Sequence, residues 1–403
     1  MELVENSIIP DLDLREMISY SLNIIMFTGF LRPEKRSKYD IGYKASIVFF
    51  VGLFFILYMS TEFANIVVVF GDVEEMTQAS FLFLTHFVQF FKFFSITQYN
   101  DLLWDMILRL NMKAFEPRTL NQRQMLTERI SLSKKIAKCF VYLGIATCGL
   151  WAVFPFVDSG KTEVELPLSG WFPFRTDYSP VFELIYLYQV CGSTFNAVIN
   201  ISLDTLIAML IFFVSCQLEI LNDSLAKAKE ICERRVKENN GRRNFNEEIE
   251  VYLRELVNHH RYILNFADDF TKIFTGCIMA QFVVSMLIIC VTLFKLTLVP
   301  VASLEFLSMM IYQICMLMEV FLWCYFGNEV IINSMEITTS AYTCDWTNFP
   351  MQFRRNLLFF MTRSQFSLKL YAGGFFVLSL PTFLGILKSS WSYFAVLNHM
   401  HSQ

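Results

Sequence analysis

The basic residues of this chain are concentrated in alternate segments between its hydrophobic stretches, and this pattern constrains the fold more than any other feature. Four of the segments hold 28 of the 33 Lys and Arg residues, whereas the other three loops hold only three. The hydrophobic stretches centre roughly on residues 45–66, 76–96, 139–157, 183–216, 273–294, 303–326 and 371–397. Loops rich in Lys and Arg stay on the cytoplasmic side of a membrane. The pattern predicts an all-α integral membrane protein with seven transmembrane helices, a cytoplasmic N-terminus and an extracellular C-terminus.

The composition and the uncharged runs also indicate a membrane protein. Hydrophobic residues make up 55 % of the 403 residues, which is above the average for soluble domains. The runs Ile273–Phe294, Leu184–Leu203 and Cys139–Val157 contain 22, 20 and 19 uncharged residues. Crossing the hydrocarbon core takes about 20 residues. The first 40 residues show no cleavable signal peptide, so we expect the first span to act as its own insertion signal.

Several other classes of protein are disfavoured by the sequence. All ten cysteines lie in predicted spans or cytoplasmic loops, where a structural disulfide is not expected. No Cys/His cluster has metal-ligand spacing, and no nucleophile–base arrangement is recognisable, so we expect no enzyme, no metal site and no cofactor. The net charge of −4 and the lack of a basic patch interleaved with aromatic residues argue against nucleic-acid binding.

The predicted spans divide the chain into four parts. Residues 1–44 form a cytoplasmic segment, 45–216 hold the first four transmembrane helices, 217–363 form helical extensions around the fifth and sixth helices, and 364–403 hold the last helix and a short extracellular end. Apolar residues recur at helical spacing just after the fourth span, at Leu218, Leu221, Leu225 and Ile231. A breaker follows at Glu238–Gly241. We therefore predict that the fourth and fifth helices continue well into the cytoplasm, where they pack on each other or on neighbouring subunits.

The last part of the chain is predicted to hold an amphipathic helix and then the final span. Pro350 suits the first turn of a new helix. Its predicted apolar face comprises Phe353, Leu357, Phe360 and Met361. We predict one continuous hydrophobic helix from about Gln365 to Asn398, about 50 Å long and kinked at Pro381.

The outer loop at residues 158–180 carries four aromatic side chains: Trp171, Phe172, Phe174 and Tyr178. Aromatic residues near a membrane face usually belong to the interfacial belt. A lid over an outward-facing pocket is the alternative interpretation.

Ionisable residues inside spans indicate function or pairing, because a charge in the membrane interior is costly. Lys388, Glu319 and Asp204 are the clearest examples in this sequence. For Lys388 we favour a structural ion pair, with Glu319 as one possible partner, or snorkelling of the lysine. A role in tuning conduction is the alternative.

The order and spacing of several short motifs resemble the insect odorant receptor family. The motifs are Trp323–Val330, Ala341-Tyr342 with Trp346, Arg354–Leu357, Leu368–Gly374, Phe383, Ile386–Ser390 and Trp391–Leu397, with weaker matches at Leu166-Pro167, Trp171–Pro173 and Gln281-Phe282 with Ser285. The resemblance implies the ligand-tuning subunit of an odour-gated, nonselective cation channel. It also implies a heterotetramer with the odorant receptor co-receptor, in the plasma membrane of olfactory sensory neuron dendrites. In this family the cytoplasmic ends of the fourth to seventh helices form a central anchor between the subunits.

The resemblance places a ligand pocket in the outer half of the second, third, fourth and sixth spans and a pore along the last helix. The pocket candidates are Phe83, His86, Phe87, Gly144, Thr147, Trp151, Phe195, Asn196, Ile199, Met309 and Tyr312. Val396 corresponds to the narrow gate, His399 to the conduction path and Met400 to the outer mouth. The expected ligand is a small volatile apolar molecule, and the expected permeant ions are cations.

Three other functions remain as alternatives. A gustatory-type or self-sufficient ligand-gated channel would differ only in its assembly. A metabotropic seven-helix receptor is disfavoured by the predicted orientation and the lack of a cysteine pair in the outer loops. A secondary transporter is disfavoured because no inverted repeat is visible.

Overall fold

The computed structural model describes residues 12–33, 40–71, 73–157, 166–238, 244–301 and 303–401, and most of them are helical. The elements are α1 (Ser19–Phe27), α2 (Asp40–Ser46), a π-helical segment (Ile47–Leu57), α3 (Tyr58–Val68), α4 (Val73–Gln98), α5 (Asn100–Arg109), α6 (Leu120–Val157), α7 (Val181–Ala226), α8 (Ala228–Glu238), α9 (Phe245–Leu298), α10 (Leu304–Thr343), α11 (Met351–Ser364), β1 (Tyr371–Ala372), β2 (Phe376–Val377) and α12 (Leu380–His401). Short 3₁₀ turns lie at Leu14–Met17, Lys113–Phe115 and Trp346–Asn348.

Six helices in the described ranges are long and apolar enough to cross a membrane. They are Tyr43–Val68, Glu75–Gln98, Leu120–Val157, Val181–Ala226, Phe245–Leu298 and Leu304–Thr343. The seventh hydrophobic helix, α12, has 22 residues, which is about 33 Å at 1.5 Å per residue. The helix α7 is the centre of the bundle, because every residue from Ile199 to Leu218 is buried.

The predicted extension of the fourth and fifth helices is confirmed, since α7 has 46 residues and α9 has 54. The N-terminal half of α9 packs against the end of α7 and against α8, and Tyr252 Oη donates a hydrogen bond of 3.2 Å to the Ser224 carbonyl. The predicted breaker falls largely outside the described residues, because α8 ends at Glu238 and 239–243 are not described. Burial raises the pKa of the Cys232 thiol on α8 to about 12.

A buried histidine joins three segments of this extension. Arg118 donates to His259 Nδ1 at 3.3 Å, and His259 Nε2 donates to Gln217 Oε1 at 2.9 Å. Because an arginine guanidinium can only donate, Nδ1 accepts and the imidazole is neutral. This arrangement fixes the start of α6 against α7 and α9.

The helix predicted after Pro350 is confirmed, because α11 begins at Met351 and buries Phe353, Leu357 and Phe360. The continuous final helix predicted from about Gln365 is wrong. Residues 371–377 form a two-stranded hairpin instead, and the helix α12 begins only at Leu380.

The glycines at the tip of this hairpin explain the break in the helix. Gly373 and Gly374 have φ angles of 60° and 76°, which lie in the left-handed region that glycine adopts readily. Pro381 is the second residue of α12, so it starts the helix and does not kink it, and that prediction was also wrong. The hairpin rests on α10, because a Cβ at Gly327 would lie 2.5 Å from the Leu378 carbonyl oxygen.

Candidate functional site

A buried cavity of about 60 Å³ lies between α4, α6, α7 and α10, and we call it the inner cavity. It is lined by Leu82, Thr85, His86, Phe140, Gly144, Thr147, Cys148, Trp151, Ser193, Asn196, Ala197, Asn200, Ile201, Tyr312, Cys315, Met316 and Glu319. Apolar atoms supply most of the exposed wall, and eight of the seventeen lining residues carry polar or charged side chains. This composition is typical of sites for small organic ligands.

Six of the eleven pocket candidates lie together on this wall, namely His86, Gly144, Thr147, Trp151, Asn196 and Tyr312. The spacing of the three α6 residues places them on one helical face, as the sequence predicts. Gly144 is needed for the close approach of α6 and α7, because a Cβ there would collide with Cδ1 of Ile201.

The other five candidates lie elsewhere. Phe83 and Phe87 stack on each other with ring centroids 5.9 Å apart, on a face of α4 that the inner cavity does not touch, and Phe87 is 39 % exposed. Phe195 and Ile199 line a separate apolar groove beside α1. Met309 lines a second cavity nearer the 158–180 loop.

This second cavity, which we call the vestibule, has a volume of about 540 Å³ and is bounded by residues 166–170 of the outer loop. The described part of the loop is fixed to the bundle, because Trp171 N–H donates to the Thr61 carbonyl at 3.1 Å and Gln189 Nε2 donates to the Leu168 carbonyl at 2.9 Å. Trp151 and Leu82 line both the vestibule and the inner cavity. These two side chains therefore form the wall between the two spaces.

Four of the polar groups on the inner cavity are already hydrogen bonded. The hydroxyls of Tyr312 and Thr85 share a hydrogen bond of 2.6 Å. His86 Nδ1 lies 2.7 Å from Glu62 Oε2, and the Thr147 hydroxyl donates to a carbonyl of its own helix at 3.0 Å. These groups shape the wall, and a ligand would have to compete for them.

Two polar atoms of lining residues have no partner in the described part of the chain. They are the Trp151 Nε1 donor and the Asn196 Oδ1 acceptor. The amide nitrogen of Asn196 donates to the Phe54 carbonyl at 2.7 Å, which fixes the orientation of the side chain. Buried polar atoms without partners cost free energy, so a ligand that pairs with them gains affinity.

A buried charge cluster lies at one end of the inner cavity, and sequence reasoning missed its centre. Lys92 Nζ on α4 lies 2.5 Å from Asp204 Oδ1 on α7 and 2.8 Å from Glu319 Oε1 on α10. It also donates to Asn200 Oδ1 at 3.0 Å. All three ionisable side chains are at most 2 % exposed, so the cluster ties three helices together inside the bundle.

The ion pair considered for Glu319 therefore exists, but its partner is Lys92. Lys388 lies exposed on α12, away from this cluster. Trp323 Nε1 donates to the Asp204 carbonyl at 3.0 Å, and its ring lies 5.6 Å from Lys92 Nζ. Charge balance in the sequence could have predicted this pairing. Lys92 is the one basic residue of the second span, and the other spans contain the two acidic residues Asp204 and Glu319.

The helix α12 buries one side and exposes the other. Ile386 and Ser390 are buried, whereas Val396 and Met400 are 59 % and 69 % exposed. His399 lies among the exposed residues at the same end of the helix. All three pore candidates are thus on a part of α12 that the rest of this chain leaves uncovered.

Comparisons with known proteins agree with this architecture. The family model described as 7tm Odorant receptor matches residues 72–391. Odorant receptor 46a, isoform A, of Drosophila melanogaster is 26 % identical over 386 residues, covering 94 % of this chain and 96 % of that protein. Odorant receptor Or1 of Anopheles gambiae is 26 % identical over 348 residues, covering 82 % and 83 %.

A solved structure has the same fold. The insect olfactory receptor OR5 from Machilis hrabei, in complex with eugenol, superposes with a TM-score of 0.82 at 17 % identity, covering 96 % of this chain and 98 % of that one. The family match extends over most of the sequence, and the helical membrane architecture agrees with it. This chain belongs to the insect odorant receptor family.

Proposed function

We propose that this receptor is the ligand-tuning subunit of an odorant-gated, nonselective cation channel, and that the inner cavity receives the odorant. The cavity itself carries the proposal, because it is buried, mostly apolar and bounded by four helices. A volatile ligand would be held there by burial of apolar area, at about 25 cal/mol per Å², and oriented by one or two hydrogen bonds.

The size of the inner cavity limits what it can hold without movement. An apolar cavity of about 150 Å³ holds benzene, whereas this one measures about 60 Å³. An odorant of six or more heavy atoms therefore requires lining side chains to change rotamer. Such a requirement couples ligand binding to the packing of α6 and α10.

The vestibule offers a route to the inner cavity. It lies directly behind Trp151 and Leu82, so movement of these side chains would join the two spaces. In this proposal the 158–180 loop acts as a lid on the outer side of the membrane. Residues 158–165 of the loop lie outside the described part of the chain.

The exposed face of α12 supports a pore formed by several subunits. A ring of apolar side chains can close a pore by excluding water, and Val396 would supply this ring. His399 would face the conduction path and Met400 the outer mouth. A helix that lines a shared pore must leave one face uncovered within its own subunit, as α12 does.

The helical extension supports assembly with another subunit. Met351, Leu358 and Phe359 on α11 are 71 %, 65 % and 68 % exposed. Large exposed apolar patches are typical of protein–protein interfaces. We propose that this surface contacts the odorant receptor co-receptor in a heterotetramer, with the basic segments on the cytoplasmic side of the plasma membrane of olfactory sensory neuron dendrites.

Whole-cell current during application of an odorant panel tests the proposal. The chain is expressed alone, with the co-receptor, and with G-protein signalling blocked. We expect a rapid cation current only on co-expression, and beyond that of the co-receptor alone. Current from the chain alone would support a self-sufficient channel, and a response abolished by the G-protein block would support a metabotropic receptor.

A further inference from the structure

Glu319 gives the inner cavity one strongly polar end. Tyr312, Cys315, Met316 and Glu319 line the cavity from one face of α10. At 1.5 Å per residue, Tyr312 and Glu319 are about 10 Å apart along the helix. The cavity thus runs along two helical turns and ends at a carboxyl group that is 2 % exposed.

The cluster behind Glu319 has more acceptors than donors. Lys92 Nζ donates hydrogen bonds to Glu319 Oε1 and Asn200 Oδ1, and it contacts Asp204 Oδ1 at 2.5 Å as an ion pair. Neither carboxylate oxygen of Asp204 has a hydrogen-bond partner among the described residues. Two carboxylates together offer about eight lone-pair positions, so one ammonium leaves most of them unsatisfied.

The charges are also unbalanced, because one lysine faces two carboxyl groups. An uncompensated charge in the membrane interior is costly, so the cluster is neutral only if it holds an extra proton or gains a cation. A hydrogen-bond donor from outside can reach it through the inner cavity. Glu319 lines that cavity and Asp204 does not, so Glu319 is the group that such a donor would meet.

We propose that the ligands of this receptor carry a hydrogen-bond donor, a hydroxyl or a protonated amine, which they present to the Glu319 carboxylate. This inference rests on the proposed role of the inner cavity. The apolar part of the ligand lies along Cys315 and Met316, towards Tyr312. Ligands that carry only acceptors, such as ethers, give the Glu319 carboxylate no donor beyond Lys92 and bind more weakly.

Four probes of seven heavy atoms test the ligand class: 1-hexanol, hexylamine, methyl pentyl ether and heptane. Their dissociation constants follow from the concentration dependence of thermal stabilisation of the full chain in lipid nanodiscs. We expect 1-hexanol or hexylamine to bind at least about tenfold more tightly than the ether and the hydrocarbon, since hydrogen bonds to charged groups are strong. The comparison of the first two probes decides between hydroxyl and ammonium.

Two variants of the charge cluster provide a matched pair. Glu319→Gln should reduce the preference for donors to less than about threefold. Asp204→Asn removes a carboxylate of the same cluster that does not line the cavity, so this variant should retain the preference for donors. Binding of both donors no tighter than that of the ether, no binding of either donor, or an unchanged preference in Glu319→Gln would overturn the inference. The wild-type series decides the ligand class even if a variant does not fold.

Current recordings separate this inference from the proposed function. Donor-selective binding without current on co-expression would contradict the channel and leave the ligand class standing. Current that is as large for the ether as for both 1-hexanol and hexylamine would contradict the ligand class and leave the channel standing.

Discussion

Lys92→Met removes the one cation from a buried cluster that contains two carboxyl groups. Removing one partner of a buried ion pair typically costs about 3–5 kcal/mol, because the remaining charge is left without compensation. The unfolding entropy of globular proteins is about 2.1 cal/mol/K per residue, which gives about 0.85 kcal/mol/K for 403 residues. The substitution should therefore lower the melting temperature of the full chain in detergent by about 4–6 °C.

The triple variant Lys92→Met, Asp204→Asn, Glu319→Gln is the control for this prediction. It removes all three charges together, and replacing a whole buried ion cluster by neutral groups is often tolerated. We expect it to recover most of the lost melting temperature. A decrease of less than about 1 °C in the single variant, or a triple variant as unstable as the single one, would refute the assignment of Lys92 as the partner of both acids.

Three further predictions concern other parts of the receptor. Gly144→Val places a branched side chain against Ile201 in the inner cavity, so it should weaken odorant responses at least about tenfold in concentration–response curves. Gly327→Val forces apart α10 and the hairpin before α12, so it should abolish the current and lower the melting temperature, whereas Gly276→Ala, which has open space around its Cβ, should do neither. Cys232 is buried and burial raises its thiol pKa to about 12, so maleimide should label it at pH 8 only after unfolding, as measured by mass spectrometry. Normal currents in either valine variant, or rapid labelling of Cys232 itself in the folded chain, would contradict the corresponding packing.

The helical membrane fold was predictable because the sequence features that indicate it extend over many residues. Uncharged runs such as Ile273–Phe294 and basic segments repeat over the whole chain, and errors at single positions do not change the pattern. The orientation of the helices in the membrane remains a prediction from this charge bias. The end of the chain was less predictable, because the hairpin before α12 is as apolar as a span. The glycine pair Gly373-Gly374 was the local signal that a helix could not continue.

The cavity wall was predictable only in part, because a sequence does not give the rotation of each helix. On α4, the residues Leu82, Thr85 and His86 face the inner cavity, and Phe83 and Phe87 point away from it. Either set of residues could face the cavity if α4 occupied the same position with a different rotation about its own axis. The abundance of phenylalanine, with 43 in the chain, made aromatic residues poor guides to the ligand site.

The most direct test of the account compares two aromatic substitutions by current recording on co-expression with the co-receptor. Trp151→Ala alters the wall between the vestibule and the inner cavity, whereas Phe87→Ala removes an aromatic ring of α4 outside the cavity. The account predicts that Trp151→Ala shifts the half-maximal odorant concentration at least about tenfold, equivalent to about 1.4 kcal/mol, and that Phe87→Ala shifts it less than about threefold. A large shift in Phe87→Ala with a normal response in Trp151→Ala would contradict the inner cavity as the ligand site.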